Sequence, residues 1–312
     1  MSAVNTPISA TDYNVIQTSI QEVMGTGATN YGYGQVVNSS PVSISNRVTI
    51  NEWGLLRYDL INAYVHLFNT TPTGVDALVE GETVRYNISN APVEYWLSVA
   101  NTISSNRLNL AVAGQRLTVN HGTKDITTTW GSTNNLRAYT TVTFSSSEDA
   151  RFFFNSGGSV QFTASRSGGS GTTQNASWTS LLSTAGTRIF GGNTPGTGTE
   201  PNDGTNWFRL SASLQNWSTV TASSPYSLNS WQIKARATDV TDNSNGTSRE
   251  IEFELNWIDD HFPLGGSPTD FVDGTLSYTV QTVQATGTLQ PVSAGTFNIQ
   301  TPIVSVGTPF TV

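Results

Sequence analysis

DARFFFNSGGSVQFTASRS, residues Asp149–Ser167, joins an aromatic run to a Gly-Gly break and then to an alternating arm. In the second arm Val160, Phe162 and Ala164 alternate with Ser159, Gln161 and Thr163, the period of a strand with two unlike faces. Asn155-Ser-Gly-Gly158 between two such runs is a hairpin turn signal. The stretch therefore predicts a hairpin at the centre of an all-β domain. On that reading Arg151, Phe153 and Asn155 share one face and Phe152 and Phe154 the other. Phe152 and Phe154 are assigned to the core, and Phe153 to an outward face meeting a neighbouring subunit.

Working outward, β signals are nearly continuous from Ile126 to the C-terminus. Strands are predicted over Leu136–Phe144, Thr187–Phe190, Asn206–Leu214, Thr275–Ala285 and Thr296–Val304. A second hairpin pairs Ser230–Thr238 with Ser248–Trp257. In EIEFELNW, Glu250, Glu252 and Glu254 fall on one face and Ile251, Phe253 and Leu255 on the other, predicting one wet and one buried side. Gln174–Ala185, with Trp178, Leu181 and Leu182, is the one helix expected among these strands. GGNTPGTGTEPNDG reads as a long surface loop.

Toward the N-terminus the period changes to that of helices. Thr11–Met24 carries Tyr13, Ile16, Ile20, Val23 and Met24 on one stripe, with Thr11 as cap and Gly25 as stop. Gly25–Gly34 reads as a flexible connector. A second helix, capped by Asn51 and ended by Asn69-Thr-Thr-Pro72, carries Trp53, Leu56, Leu60, Tyr64 and Leu67. A third starts at Asn90-Ala-Pro92, carries Tyr95, Trp96, Val99 and Ile103, and runs to about Arg107. The predicted class is α+β: a helical docking or oligomerisation module over residues 1–120, then a mainly antiparallel β-sandwich over 121–312.

Composition narrows the function. Only 12% of the 312 residues are charged, about half the roughly 25% usual in soluble domains. Eight Trp, ten Tyr and thirteen Phe supply the buried surface that disordered chains lack. A net charge of −8 without basic blocks argues against nucleic acid as a partner. No apolar run suits a membrane span, and the first residues lack signal-peptide order. With no cysteine, thiolate nucleophiles, disulfides and Cys-based metal sites are excluded together.

Chemistry-bearing clusters are few. Asp259-Asp260-His261 is the one place where carboxylates and a histidine adjoin. A polar loop is the favoured reading, because adjacent residues on extended chain point apart. Thr241–Glu252 partly mimics a calcium loop through Asn243, Asn245, Gly246 and Glu252. Thr241 stands where that loop needs Asp, and Asn245-Gly246 is a turn signal. His66 and His121 are isolated. No nucleophile elbow or phosphate loop occurs, so no catalytic residue, cofactor or metal is assigned. Trp207, Phe208, Trp217 and Trp231 read either as sandwich core or as a platform for sugars.

The segments TDYNVIQTSIQEVMGTG, GYGQ, VTINEWGLLRYDLINAYVH, VANTISSNRLNLAVAGQ, ARFFFNSGGSVQFTASRSGG, NASWTSLL, FGGNTP and DGTLSYTVQTVQATGTLQP are spread over most of the chain. They resemble segments of virion structural proteins of tailed phages, especially those infecting cyanobacteria. Longer members of that set repeat the unit that spans Asp12–His66 once here. The resemblance implies a fibre-like structural subunit of the virion, non-enzymatic, attached to tail, neck or baseplate, and assembled in the host cytoplasm. Its expected partners are other virion proteins and further copies of itself, with a trimer as first expectation because three apolar stripes could meet on one axis. The residues expected to dock are Tyr13, Ile16, Ile20, Trp53, Leu56, Leu60, Tyr64, His66 and Phe153. Two alternatives stay open: a module that binds or cleaves host-surface glycan, contacting it through Trp207, Trp217 and Trp231, and a capsid decoration protein.

Overall fold

The computed structural model describes residues 9–25, 37–43, 48–68, 70–77, 93–106, 116–131, 134–191, 207–244, 246–261, 271–285 and 299–312. The fold is α+β, a helical N-terminal region followed by antiparallel sheets. It forms two compact units. The first holds the described residues up to Leu117, the segment Arg151–Gly158, and Gln284, Ala285 and Ile299. The second holds those within Thr118–Ala150, Ser159–Val283 and Gln300–Val312.

Three helices build the first unit: α1 (Ala10–Met24), α2 (Ile50–Phe68) and α3 (Val93–Asn106), each packed on the other two. The starts of α1 and α2 are set by capping boxes lying just ahead of the expected caps. Ser9 Oγ accepts from the Asp12 amide while the Asp12 carboxylate accepts from the Ser9 amide at 3.0 Å; Thr49 and Glu52 repeat the arrangement at α2. One ring from each helix meets at the centre. Tyr13 stands edge-on to Trp53 at 5.2 Å, and Trp53 edge-on to Trp96 at 5.6 Å. Residues 37–43 strap the bundle. Asn14 exchanges two 2.8 Å hydrogen bonds with Val42, Gln17 donates to Ser39 O, and the buried Asp59 carboxylate accepts from the Ser39 amide at 2.6 Å and Asn38 Nδ2 at 2.8 Å.

This core corrects the docking assignment. Tyr13, Ile16, Ile20, Trp53, Leu56 and Leu60 are all buried inside the chain, and Tyr64 is half-buried with its ring 4.5 Å from Phe68. The apolar stripes meet one another within one copy, which removes the motive for a threefold axis. Of His66 only the backbone belongs to the described residues. The large apolar side chains this unit does expose include Val15, Leu55, Tyr58 and Tyr95.

Asp149–Ser167 is not a hairpin. Its first arm is a helix, α4 (Ser147–Asn155), followed by strand β3 (Ser159–Ser167). Ser146 Oγ accepts from the Asp149 amide at 3.1 Å, and Glu148 and Asp149 lie at the positive end of the helix. Ser-Gly-Gly is a Schellman stop: the Gly157 amide donates to Phe154 O at 3.1 Å and the Gly158 amide to Phe153 O at 2.8 Å. Gly157 takes φ +81°, and a Cβ on Gly158 would stand 2.4 Å from Phe153 O. Helical spacing buries Ala150, Phe153 and Phe154 together and leaves Phe152 half-buried beside the Arg151 guanidinium. The face assignments of Phe152 and Phe153 are thus reversed, and Phe153 has no outward face to offer a subunit.

The second unit is a sandwich. One sheet has the order β1 (Arg116–Ile126), β8 (Thr275–Ala285), β3, β4 (Arg188–Phe190). The other runs β10 (Phe310–Thr311), β2 (Leu136–Thr143), β7 (Glu250–Ile258), β6 (Ser230–Ala237), β5 (Gln215–Thr221), with β9 (Ile303–Val306) also paired to β2. Rings from opposite sheets interlock: Phe162 with Phe253 at 4.8 Å, Phe190 with Phe253 at 5.0 Å and with Trp217 at 5.3 Å, and Tyr278 with Trp257 at 5.5 Å. The helix α5 (Thr173–Ala185), expected in this region, packs on β3, β5 and β6.

Two strand expectations change. Asn206–Leu214 is not a strand: Trp207–Arg209 is a single 3₁₀ turn, because its neighbouring backbone pairs with Asn243, whose Nδ2 donates to Trp207 O at 2.7 Å and whose amide donates to Leu210 O at 2.9 Å. The strand follows at β5, where a bulge between Asn216 and Ser218 turns both Trp217 and Ser218 inward. Near the end the strand is β9, starting at Ile303. The GTGATNYGYG connector after Gly25 and residues 192–204 of the long loop lie outside the described residues.

Phe153→Ala is expected to destabilise the chain by about 3–5 kcal/mol, and Phe152→Ala by less than about 1.5 kcal/mol. Urea unfolding measures both, and a larger loss at Phe152 would favour the hairpin reading over the helix.

Candidate functional site

The polar groups of the sandwich gather in three places, each on regular elements. The first is the outer face of the six-stranded sheet. Cross-strand register sets Glu254 of β7 opposite Tyr139 of β2 and Lys234 of β6. The carboxylate accepts from Tyr139 OH at 3.1 Å and Asn256 Nδ2 at 2.9 Å, with Arg137 Nε and Lys234 Nζ each 3.7 Å away. Burial pushes this carboxyl up, but the Asn256 and Tyr139 hydrogen bonds and the two cations outweigh it and hold it below the ordinary range. Glu252 pairs with Arg236 at 2.7 Å, and Glu250 accepts from Thr143 and Thr238 hydroxyls. The predicted wet face is therefore half-covered, with Glu254 only 4% exposed. A glycosidase acid must keep its proton near neutral pH. Glu254, ionised by its surroundings, cannot take that role.

The second place is Asp259, fully buried where β7 ends. Its carboxylate accepts from Gln174 Nε2 and, at 3.2 Å, from Trp178 Nε1, and its amide donates to Asn135 Oδ1 at 2.8 Å. Asp259 therefore ties α5 to the sheet, while the His261 ring stands 4.6 Å from Tyr226. The Asp-Asp-His run is not brought together as a ligand set. Among the described residues no group of three or more His, Asp and Glu is placed to hold a metal ion. In the calcium-like loop Asn243 spends its amide groups on Trp207 O and the Ser248 amide, which makes it a loop brace.

The third place escaped sequence reasoning. Asp273 accepts from the Ser170 amide at 2.9 Å, from Ser170 Oγ at 3.0 Å, from Asn175 Nδ2, and from Arg166 at 3.4 Å; its own amide donates to Asn175 Oδ1. The knot ties the β3–α5 connection to the start of β8. Gly169 and Gly274, at φ +78° and +89°, let the two backbones close on it, since a Cβ on Gly169 would stand 2.5 Å from Asp273 Oδ1. The Ser170 backbone hydrogen bond first, and the Asn175 bond after it, hold the Asp273 carboxyl below its ordinary range. The available signal was the pairing of a Gly-Gly after one strand with Asp-Gly before another.

The remaining aromatic candidates resolve as core. Trp207, Trp217 and Trp231 are at most 1% exposed and Phe208 is buried, so no sugar platform forms from them. His121 Nε2 lies 2.8 Å from Thr282 Oγ1, and burial pushes its pKa down, leaving a neutral ring at pH 7. Among the described residues no helix is long and apolar enough to cross a membrane. Comparison with known protein families, with characterised proteins and with solved structures finds no match.

Because the folded pKa of Asp273 is lowered, the stability it contributes is fully present above its unfolded value, near pH 4. That stability is lost as pH falls through the folded value. The gap in urea midpoint between the native chain and Asp273→Asn is expected to be widest at pH 7 and to narrow below pH 4; a gap independent of pH would show that the carboxylate charge does not hold the knot.

Proposed function

We propose that the chain is a non-enzymatic structural subunit of a tailed-phage virion, a fibre-like component of tail, neck or baseplate that works as a homo-oligomer. One observation carries the reading. The segments that resemble such virion proteins coincide with the braces of the fold. TDYN supplies Asp12 of the α1 capping box, the central ring Tyr13 and the strap anchor Asn14. The α2 segment supplies Trp53 and Asp59, and NASW and DGT meet in the Asn175–Asp273 knot. What this chain shares with that set is the means of holding a shape, which is what a scaffold protein needs.

Further support comes from the carboxylates. Glu254, Asp259 and Asp273 are each committed to several internal donors, so these acids serve the architecture. Low charge and the absence of cysteine suit a particle component stabilised by buried aromatic surface. With the helical stripes and Phe153 used inside the chain, attachment falls to the exposed apolar positions Val15, Leu55, Tyr58 and Tyr95.

Light scattering of the purified full chain is expected to give a homo-oligomer, and reconstruction of the virion to show its density at tail, neck or baseplate. A chain that stays monomeric and is missing from purified virions would overturn the proposal. Density on the icosahedral axes of the capsid would make it a decoration protein instead.

A further inference from the structure

We infer that the groove between α5 and the β5–β6 connection binds a neutral saccharide. The groove has a volume of about 260 Å³ and lies wholly within the sandwich unit. One wall is a stripe of hydroxyls, Thr173, Ser177, Ser180 and Thr184, brought to one side of α5 by helical spacing. The opposite wall is the segment Thr221–Tyr226, and the floor is apolar: Leu181 is 3% and Ala222 8% exposed.

The chemistry of the lining selects the ligand. None of the described lining residues carries a charged group. An ionic ligand entering here would lose water without gaining a counter-charge. A wholly apolar ligand would strip water from hydroxyls that then lack partners, at a cost for each one. A neutral sugar meets both constraints, since it carries an apolar C–H face over the Leu181–Ala222 floor and a rim of hydroxyls. Serine and threonine both donate and accept, so they match sugar hydroxyls in either sense.

The groove is also preformed. At one end Tyr226 OH lies 2.6 Å from Thr173 Oγ1, and the Tyr226 ring stands 4.6 Å from His261, edge to face. The helical wall is anchored from beneath by Trp178 and Gln174, both bonded to Asp259. A rigid site loses little freedom on binding. This groove is separate from the buried indoles Trp207, Trp217 and Trp231, and it does not depend on the virion reading.

The test is titration of the full chain with D-glucose, D-galactose, D-mannose and N-acetyl-D-glucosamine and their β-linked disaccharides, followed by amide NMR shifts. At least one probe is expected to give saturable shifts, at up to about 10 mM sugar, confined to α5 and the 221–226 segment. Ser180→Arg, an exposed helical position on the wall, is expected to weaken that binding about tenfold or more with no change in melting temperature. Tyr226→Phe is expected to weaken it less. No saturable shifts with any probe, equal binding by Ser180→Arg, or tighter binding of glucuronate than of glucose would each overturn the inference.

Discussion

Contact between aromatic rings across the sandwich is the constraint on which the second unit depends. Phe162 and Phe190 reach down from one sheet, Phe253 and Trp217 reach up from the other, and Tyr278 meets Trp257 beside them. In a chain without cysteine, no disulfide can hold two sheets in register. Burial of large rings replaces it, each edge-to-face pair adding roughly 0.5–1.5 kcal/mol beyond its buried area. The bulge at Trp217 follows from this demand: regular alternation would send either Trp217 or Ser218 outward, whereas both are needed inside. Ser218 Oγ accepts from the buried Arg188 Nε at 2.8 Å, just where β4 enters the sheet.

The same division between polar and aromatic work appears in the helical unit. Tyr13, Trp53 and Trp96 form its centre, and burial raises the Tyr13 hydroxyl to about pKa 12, leaving it a neutral donor to Glu52 O. Around these rings the polar side chains hold backbone. Asn14, Gln17 and Asp59 satisfy the 37–43 strap, which pairs with no strand among the described residues.

Much of this was legible in the residues. Strands β7 and β8 announce themselves by strict alternation, and the α1, α2 and α3 stripes by helical spacing, because each buries one face. The Phe152–Phe154 run was not legible by period, since three consecutive aromatics fit a strand or a helix equally well. The deciding signals there were Ser146 three residues ahead of Asp149 and the two glycines that close a Schellman stop. The strand at 215–221 was hidden by its bulge, which breaks the period of two. β1 was hidden because none of Leu117–Ile126 is buried in this edge strand, so it carries no continuous apolar face to read. At the candidate site the residues were visible and their engagement was not. Whether Trp217 is core or platform, and whether Asp259 faces solvent or Trp178, depends on contacts between residues 27 and 81 positions apart, about which spacing is silent.

One feature of the chain path bears on how the molecule is made. Arg151–Gly158, Gln284 and Ile299 belong with the N-terminal helices although the sandwich residues lie between them in sequence. Neither unit is a continuous segment. A ribosome that has delivered α1, α2 and α3 has not yet delivered the last pieces of their unit, which arrive after nearly all of the sandwich. The three helices pack on one another, and their unit is completed only when synthesis is almost over. A fragment ending after α3 would lack the parts of its unit that lie at Arg151–Gly158, Gln284 and Ile299.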